Sequence, residues 1–301
     1  MIILKNKIRT GILFAILAAS LYALSSPLSK ILLNYVSSTL MAGFLYLGAG
    51  IGMGLISIIR SNSKQHNIEE KITKKELPYV IAMVVLDIAA PIFLLLGLSM
   101  TSAANASLLN NFEIVATSII AFAVFKEKIS ARLWLGIAFV MLSCTLLSFE
   151  GAESFNVSYG SLFILLACVC WGIENNCTRA LSSKDPQQIV TIKGIFSGLG
   201  SLIIALIVGE RVANPWSIIL VLVLGFISYG LSIFFYVYAQ RYIGATRTSA
   251  YYAIAPFIGT LLSLVIFNIM PSYTYFLALA LMIVGAYLSS SDEPIFKKVK
   301  K

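Results

Sequence analysis

Nine residues, Trp171–Arg179 (WGIENNCTR), set a carboxylate and two amides inside an apolar run from about Tyr159 to Ala180. That run is long enough to cross a bilayer as a helix. A charged side chain at such depth costs at least ~2.5–3.5 kcal/mol on insertion scales, so it faces a protein interior or a watery cavity. On a helix, Trp171, Glu174, Asn175 and Thr178 share one face through spacings of three and four. An aromatic wall beside a carboxylate and an amide can form part of a small-molecule pocket. The alternative is inter-helix glue, in which the amides simply bond neighbouring helices. A carboxylate is a costly choice for glue, which favours the pocket.

Two further carboxylates lie in apolar spans. Glu113 shares a face with Asn110, Ser107 and Thr117, and Asp87 stands four residues before Pro91, whose missing donor frees a backbone carbonyl. Glu113, Glu174 and Asp87 are therefore candidates for a proton carrier or for the counter-ion of an amine. The competing reading pairs one or two of them structurally with Lys193 or with the asparagines. Lys193 itself can also snorkel to the interface, and Arg247 reads as an interface anchor. Tyr229, Ser232, Tyr236 and Gln240 form a second candidate wall at helical spacing, with Tyr251 or Tyr252 as a third. The bland account of these aromatics is packing.

Other chemistries lack the residues they need. The single histidine, His66, lies in a charged loop, so histidine-based nucleophilic catalysis or an intramembrane zinc site has no ligands to use. Cys144, Cys168, Cys170 and Cys177 all sit in apolar runs and read as small packing residues. An aspartyl enzyme would need paired carboxylates. No Walker motif is present, so ATP is not the direct energy source. No enzyme activity, cofactor or metal is expected.

The elements that must position these residues are membrane helices. The 301 residues are 59% hydrophobic and only 12% charged, against about 25% charged in soluble domains. Ten apolar spans of bilayer length run roughly over 11–33, 38–59, 78–99, 103–125, 131–149, 159–180, 188–209, 215–239, 246–267 and 273–290. With short connections between them, 19 of the 22 lysines and arginines fall on one side. By the positive-inside rule this predicts a multi-pass protein of the plasma (inner) membrane with both termini cytoplasmic. The net charge of +9 is thus a topology signal, and nucleic-acid binding is not needed to explain it.

The chain also repeats. Gly11–Leu33 aligns with Gly160–Ser182 at an offset of 149, placing Tyr22 on Trp171, and Ala103–Ser130 aligns with Ala245–Ser272 at an offset of 142. Five spans per copy is an odd number, which turns the second copy upside down. Residues 1–149 and 150–301, the latter with a short basic tail, are the predicted halves. Inverted repeats are a hallmark of secondary transporters, whose substrate sites lie near the midplane between the copies. Glycines 48, 50, 52 and 54, with Gly194 and Gly198, read as surfaces of close helix approach.

Over essentially its whole length the chain resembles the ten-helix EamA branch of the drug/metabolite transporter superfamily. The resemblance rests on Ala89–Glu113 (AAPIFLLLGLSMTSAANASLLNNFE), Phe125–Gly136, Trp171–Pro186, Ile192–Gly198 and Gly244–Phe257 (GATRTSAYYAIAPF). It implies an all-α membrane protein of two inverted five-helix bundles around a central cavity, moving small metabolites. Two positions depart from the pattern. The usual Glu-Pro pair is Glu113-Ile114, and the usual Gly-Glu pair is Lys126-Glu127 in one copy but Asn268-Ile269 in the other.

The expectation is a carrier, by alternating access and with proton coupling in view, for a small polar metabolite such as an amino acid or amine. Trp171, Glu174, Asn175, Thr178, Asn110, Glu113, Tyr22, Tyr229, Tyr236 and Tyr252 are the candidate substrate contacts. Glu113, Glu174 and Asp87 are the candidate proton-coupling groups. A passive channel, a less favoured intramembrane enzyme and a homodimer stay open at this point.

Overall fold

The computed structural model describes residues 2–61, 70–126, 130–148, 158–181, 184–211, 214–243, 248, 251–268 and 270–289. These form helices α1 (Ile2–Ala23), α2 (Ser25–Leu32), α3 (Ser38–Ser61), α4 (Leu77–Met100), α5 (Ala103–Leu109), α6 (Phe112–Phe125) and α7 (Ala131–Ser148). They continue with α8 (Tyr159–Ala180), α9 (Pro186–Val208), α10 (Pro215–Gly225), α11 (Ser232–Ile243), α12 (Ala255–Phe267) and α13 (Tyr273–Ser289). A single π-helical turn, Phe226–Leu231, joins α10 to α11. Among the described residues no sheet forms; Glu70 and Lys184 make one isolated bridge.

Eight stretches among the described residues are helical, long and apolar enough to cross a membrane, from Ile8–Leu32 to Pro215–Ala239. Two shorter apolar helices, Ala255–Phe267 and Tyr273–Ser289, follow them. The ninth expected span, 246–267, begins in residues that lie mostly outside the described ones, as do Arg247 and His66. Large apolar side chains such as Leu206, Ile207, Trp216 and Val265 cover the outside of the bundle. A bilayer supplies the apolar surroundings that such a surface requires.

Several expected single spans are broken, two of them next to a proline. Pro27 has no N–H to offer the carbonyl of Ala23, and the helix turns at Leu24. Asn110 and Asn111 separate α5 from α6, and residues 253–254 precede Pro256 in the same way before α12. Starts are capped as sequence rules predict: Asp185 Oδ1 accepts from Gln187 N at 2.9 Å, with Pro186 as first residue of α9. Lys126 and Asn268 end α6 and α12 in the left-handed region, with φ of 55° and 47°.

Small residues set the packing. α3 crosses α9 so closely that a Cβ on Gly194 would lie 2.4 Å from the Gly50 nitrogen. On its other side, a Cβ on Gly48 would lie 2.0 Å from the Leu222 carbonyl oxygen of α10. α4 packs on α8 through Gly97 and Gly160, α1 on α11 through Gly11, and α7 on α13 through Gly136 and Gly285. The glycine-surface reading of the sequence therefore holds for Gly48, Gly50, Gly52, Gly194 and Gly198, but not for Gly54, where a Cβ would meet only the Thr191 methyl at 3.6 Å. α3 is gripped on two sides, and the residues that follow from this grip form the site.

Candidate functional site

The close α3–α9 crossing brings Tyr46, one turn before Gly50, and Lys193, beside Gly194, to the same place. There α4 contributes Asp87 and α8 contributes Glu174. The Lys193 ammonium lies 3.0 Å from Asp87 Oδ2 and 3.1 Å from Glu174 Oε1. Tyr46 donates its hydroxyl to Asp87 Oδ1 at 2.9 Å. Thr178, one turn after Glu174, donates to Glu174 Oε1. Asp87 is fully buried, and Lys193, with 13% of its side chain exposed, is the most accessible member of the triad.

A second carboxylate node lies beside the first. Asn175 Nδ2 donates to Glu113 Oε1 at 2.7 Å and stands 3.2 Å from the Thr117 hydroxyl. Asn176 donates to the backbone carbonyls of Thr117 and Gly172, holding α8 against α6. Glu113 lies within electrostatic range of Glu174 and Lys193. Two carboxyl groups thus share the Lys193 ammonium, and a third lies nearby on the Asn175 amide. The stripe read from the sequence divides here, because Glu174 and Thr178 turn towards Lys193 while Asn175 turns towards Glu113.

The tyrosines form a continuous wall. The Tyr46 ring is 5.3 Å from that of Tyr229, which lies 5.8 Å from Tyr22. Tyr22 is 5.9 Å from Tyr252, and Tyr252 is 4.9 Å from Tyr236. Tyr229 sits in the π-helical turn, a feature that often marks functional sites, and Ser25 donates to its hydroxyl at 3.2 Å. Tyr46 thus belongs to both groups, touching Asp87 with its hydroxyl and Tyr229 with its ring.

Trp171 lies beside the site: it is buried in the same core as Tyr46 and Tyr229, and its indole donates to the Tyr46 hydroxyl. Other candidates fall elsewhere. Asn110 caps α5 and faces the Cys168 thiol, 3.9 Å from its carbonyl and 4.0 Å from its side-chain oxygen. Tyr252, rather than Tyr251, faces the aromatic wall. The Gln240 side chain lies outside the described residues. Lys30, also inside a span, donates to the carbonyls of Leu98, Ser99 and Thr101 at 2.5, 3.2 and 2.7 Å, closing the C-terminal end of α4. It also borders a mostly apolar crevice of about 100 Å³ with Ser102, Leu264, Phe267 and Tyr275, which none of the three carboxylates lines.

Sequence reasoning missed Tyr46. Its span carries glycines at alternate positions and reads as packing. In the sequence Tyr46 is marked only as a hydroxyl-bearing ring one turn before Gly50.

Comparison with known proteins agrees with this architecture. The model of the EamA-like transporter family matches residues 9–149 and 158–291. An uncharacterized transporter of Methanothermobacter thermautotrophicus is 26% identical over 272 residues, covering 85% of this chain and 79% of that protein. The uncharacterized transporter YyaM of Bacillus subtilis is 22% identical over 250 residues, covering 78% and 79%. One solved structure, described only as a protein crystal structure, superimposes with a TM-score of 0.65 at 16% identity. It covers 93% of this chain and 95% of its own, a likeness of fold alone. The chain belongs to the EamA-like transporter family, and it is a multi-pass membrane transporter.

Proposed function

We propose that this transporter is a secondary-active carrier of a small polar metabolite bearing an amine, an amino acid being the simplest case. The observation that carries the reading is the buried group Asp87–Lys193–Glu174 with Glu113 beside it, where α3, α4, α6, α8 and α9 meet. Charges at bilayer depth are costly, and three carboxyl groups around one ammonium call for a proton or a cationic solute to balance them. Glu113 and Glu174 are the main polar contacts in this reading, and the tyrosine wall shapes the apolar side of the solute. Proton coupling through Glu113, Glu174 or Asp87 follows from the same imbalance.

Alternating access between two inverted halves, 1–149 and 150–301, is supported by the pairing of helices. Gly160 packs on Gly97 and Met100, and its repeat partner Gly11 packs on Tyr242 and Ile243. The helix breaks at Asn110–Asn111 and at 253–254 fall at matching places in the two copies. Interrupted helices at the repeat interface are where such carriers bind their solutes. The basic loops support a topology with both termini in the cytoplasm.

The test is a thermal-shift screen of the detergent-purified protein against a metabolite library, beside Glu174→Gln, followed by flux into proteoliposomes. A ligand of the native state raises its apparent stability by mass action. Hits on the wild type that vanish in Glu174→Gln support the site. Unchanged affinity and transport in a Glu113→Gln, Glu174→Gln double variant would sink it. Flux that never saturates with solute concentration would replace the carrier by a passive channel.

A further inference from the structure

The role of Lys193 goes beyond balancing charge. Its ammonium sits between one oxygen of Asp87 and one of Glu174, at 3.0 and 3.1 Å. Each carboxylate is also held by a group other than the lysine: Asp87 by the Tyr46 hydroxyl, Glu174 by that of Thr178. Each carboxylate thus has a fixed hydroxyl partner besides the ammonium. Asp87 Oδ2 is buried, and among the described residues the Lys193 ammonium, 3.0 Å away, is the polar partner found for it. The lysine is also the least buried of the three, with 13% of its side chain exposed.

We propose that Asp87 and Glu174 form a receptor for a primary ammonium group, that Lys193 is its tethered occupant, and that a cationic substrate enters by displacing it. The last clause rests on the carrier reading above; the receptor does not. A tethered ammonium keeps two deeply buried carboxylates paired while no solute is bound, when they would otherwise face the full cost of unpaired charge. It also sets a threshold for entry. A solute must offer the carboxylates at least what the lysine offers, so a primary amine competes and a neutral solute of the same size does not.

The experiment removes the occupant and returns it in free form. Lys193→Ala deletes three methylenes and the ammonium, which is the outline of n-propylammonium. We expect the purified full chain carrying Lys193→Ala to melt several degrees below wild type. Millimolar n-propylammonium chloride should then raise its melting temperature saturably by roughly 4 °C, whereas n-propanol should leave it unchanged. Wild type, where the tether competes, should respond at concentrations at least roughly tenfold higher. If Lys193→Ala does not fold, Lys193→Ala with Asp87→Asn keeps the net charge of the cluster and retains Glu174, and should show the same selectivity for amine over alcohol. A response that is absent from both variants overturns the receptor. So does one that survives when Glu174→Gln is added to the double variant. Saturable rescue without flux of any amine in wild-type proteoliposomes would keep the receptor and refute the carrier. Amine flux with no rescue in either variant would do the reverse.

Discussion

Tyr46 donates to Asp87 at 2.9 Å across the α3–α4 interface while its ring rests 5.3 Å from Tyr229. One side chain thus connects the charged cluster to the aromatic wall. Tyr46→Phe keeps the ring and removes only the donor. A hydrogen bond to a charged partner is worth about 1.5–3 kcal/mol, so the melting temperature should fall by several degrees. Transport should weaken roughly tenfold if Asp87 loses its orientation, a factor equivalent to about 1.4 kcal/mol. Proteoliposome flux beside a melting curve separates the two effects.

Glu113→Gln and Glu113→Ala should behave differently. Glutamine keeps an oxygen for Asn175 to donate to, so the fold should hold within a few degrees while proton or amine handling is lost. Alanine leaves the Asn175 amide without its carboxylate in a buried site and should destabilise by about 1–3 kcal/mol. Equal transport loss with equal melting temperatures in both variants would deny the 2.7 Å contact its structural role.

Gly194→Val should collapse the site from a distance. A Cβ there would lie 2.4 Å from the backbone nitrogen of Gly50, with no side-chain end to yield. α3 and α9 must part, carrying Tyr46 and Lys193 away from Asp87, and a loss of more than about 3 kcal/mol is expected, the range of severe overpacking or broken buried pairs. Gly54→Ala is the control, since its Cβ would meet only the Thr191 methyl at 3.6 Å. Expression and melting temperature of the two variants read the contrast directly.

Lys126→Gly should stabilise. Lys126 ends α6 with φ of 55°, a conformation that costs a side-chain-bearing residue roughly 1–2 kcal/mol and glycine far less. After the entropy that glycine adds to the unfolded chain, a gain of about 0.5–1 kcal/mol remains, visible as a small rise in melting temperature. The same change at Asn268 should do less, because asparagine tolerates the left-handed region.

The loop contact between Lys184 and Glu70, 3.0 Å apart, gives a pH signature. The hydrogen bond to Glu70, foremost, and the charges of Glu76 and Glu70 hold the Lys184 ammonium above its ordinary value. A lysine raised in the folded state contributes stability that is complete below the unfolded value, about 10.4, and is lost as pH rises through the folded one. The stability difference between wild type and Lys184→Met should therefore be constant from neutral pH to about pH 9 and vanish under stronger alkali. Melting curves across that range, at low salt because exposed pairs are screened, check it.

The sequence made the cost of each buried charge plain, and so Asp87, Glu113 and Glu174 were legible one by one. Their partners were not. Whether Asn175 served Glu174 or Glu113 depended on how α8 turns between α6 and α9, which no spacing along one helix encodes. Lys193 could reach the interface or the interior with equal ease, and only the crossing of α3 over α9 decides between them. The helix interruptions at Leu24 and Asn110–Asn111 were hidden for a similar reason. Pro27 marks the first, but nothing in the Asn-Asn pair distinguishes a break from a polar turn of continuous helix. Tyr46 stayed invisible because an aromatic among glycines looks like packing, and in part it is.

The seam between α3 and α9 has one further consequence. Side chains at an ordinary interface can change rotamer and let two helices drift apart by degrees. Where Gly50 meets Gly194 the main chains themselves touch, so there is nothing to readjust. In the carrier reading proposed above, the seam is the fulcrum: the motion that opens the molecule to a solute swings about that point and leaves it intact.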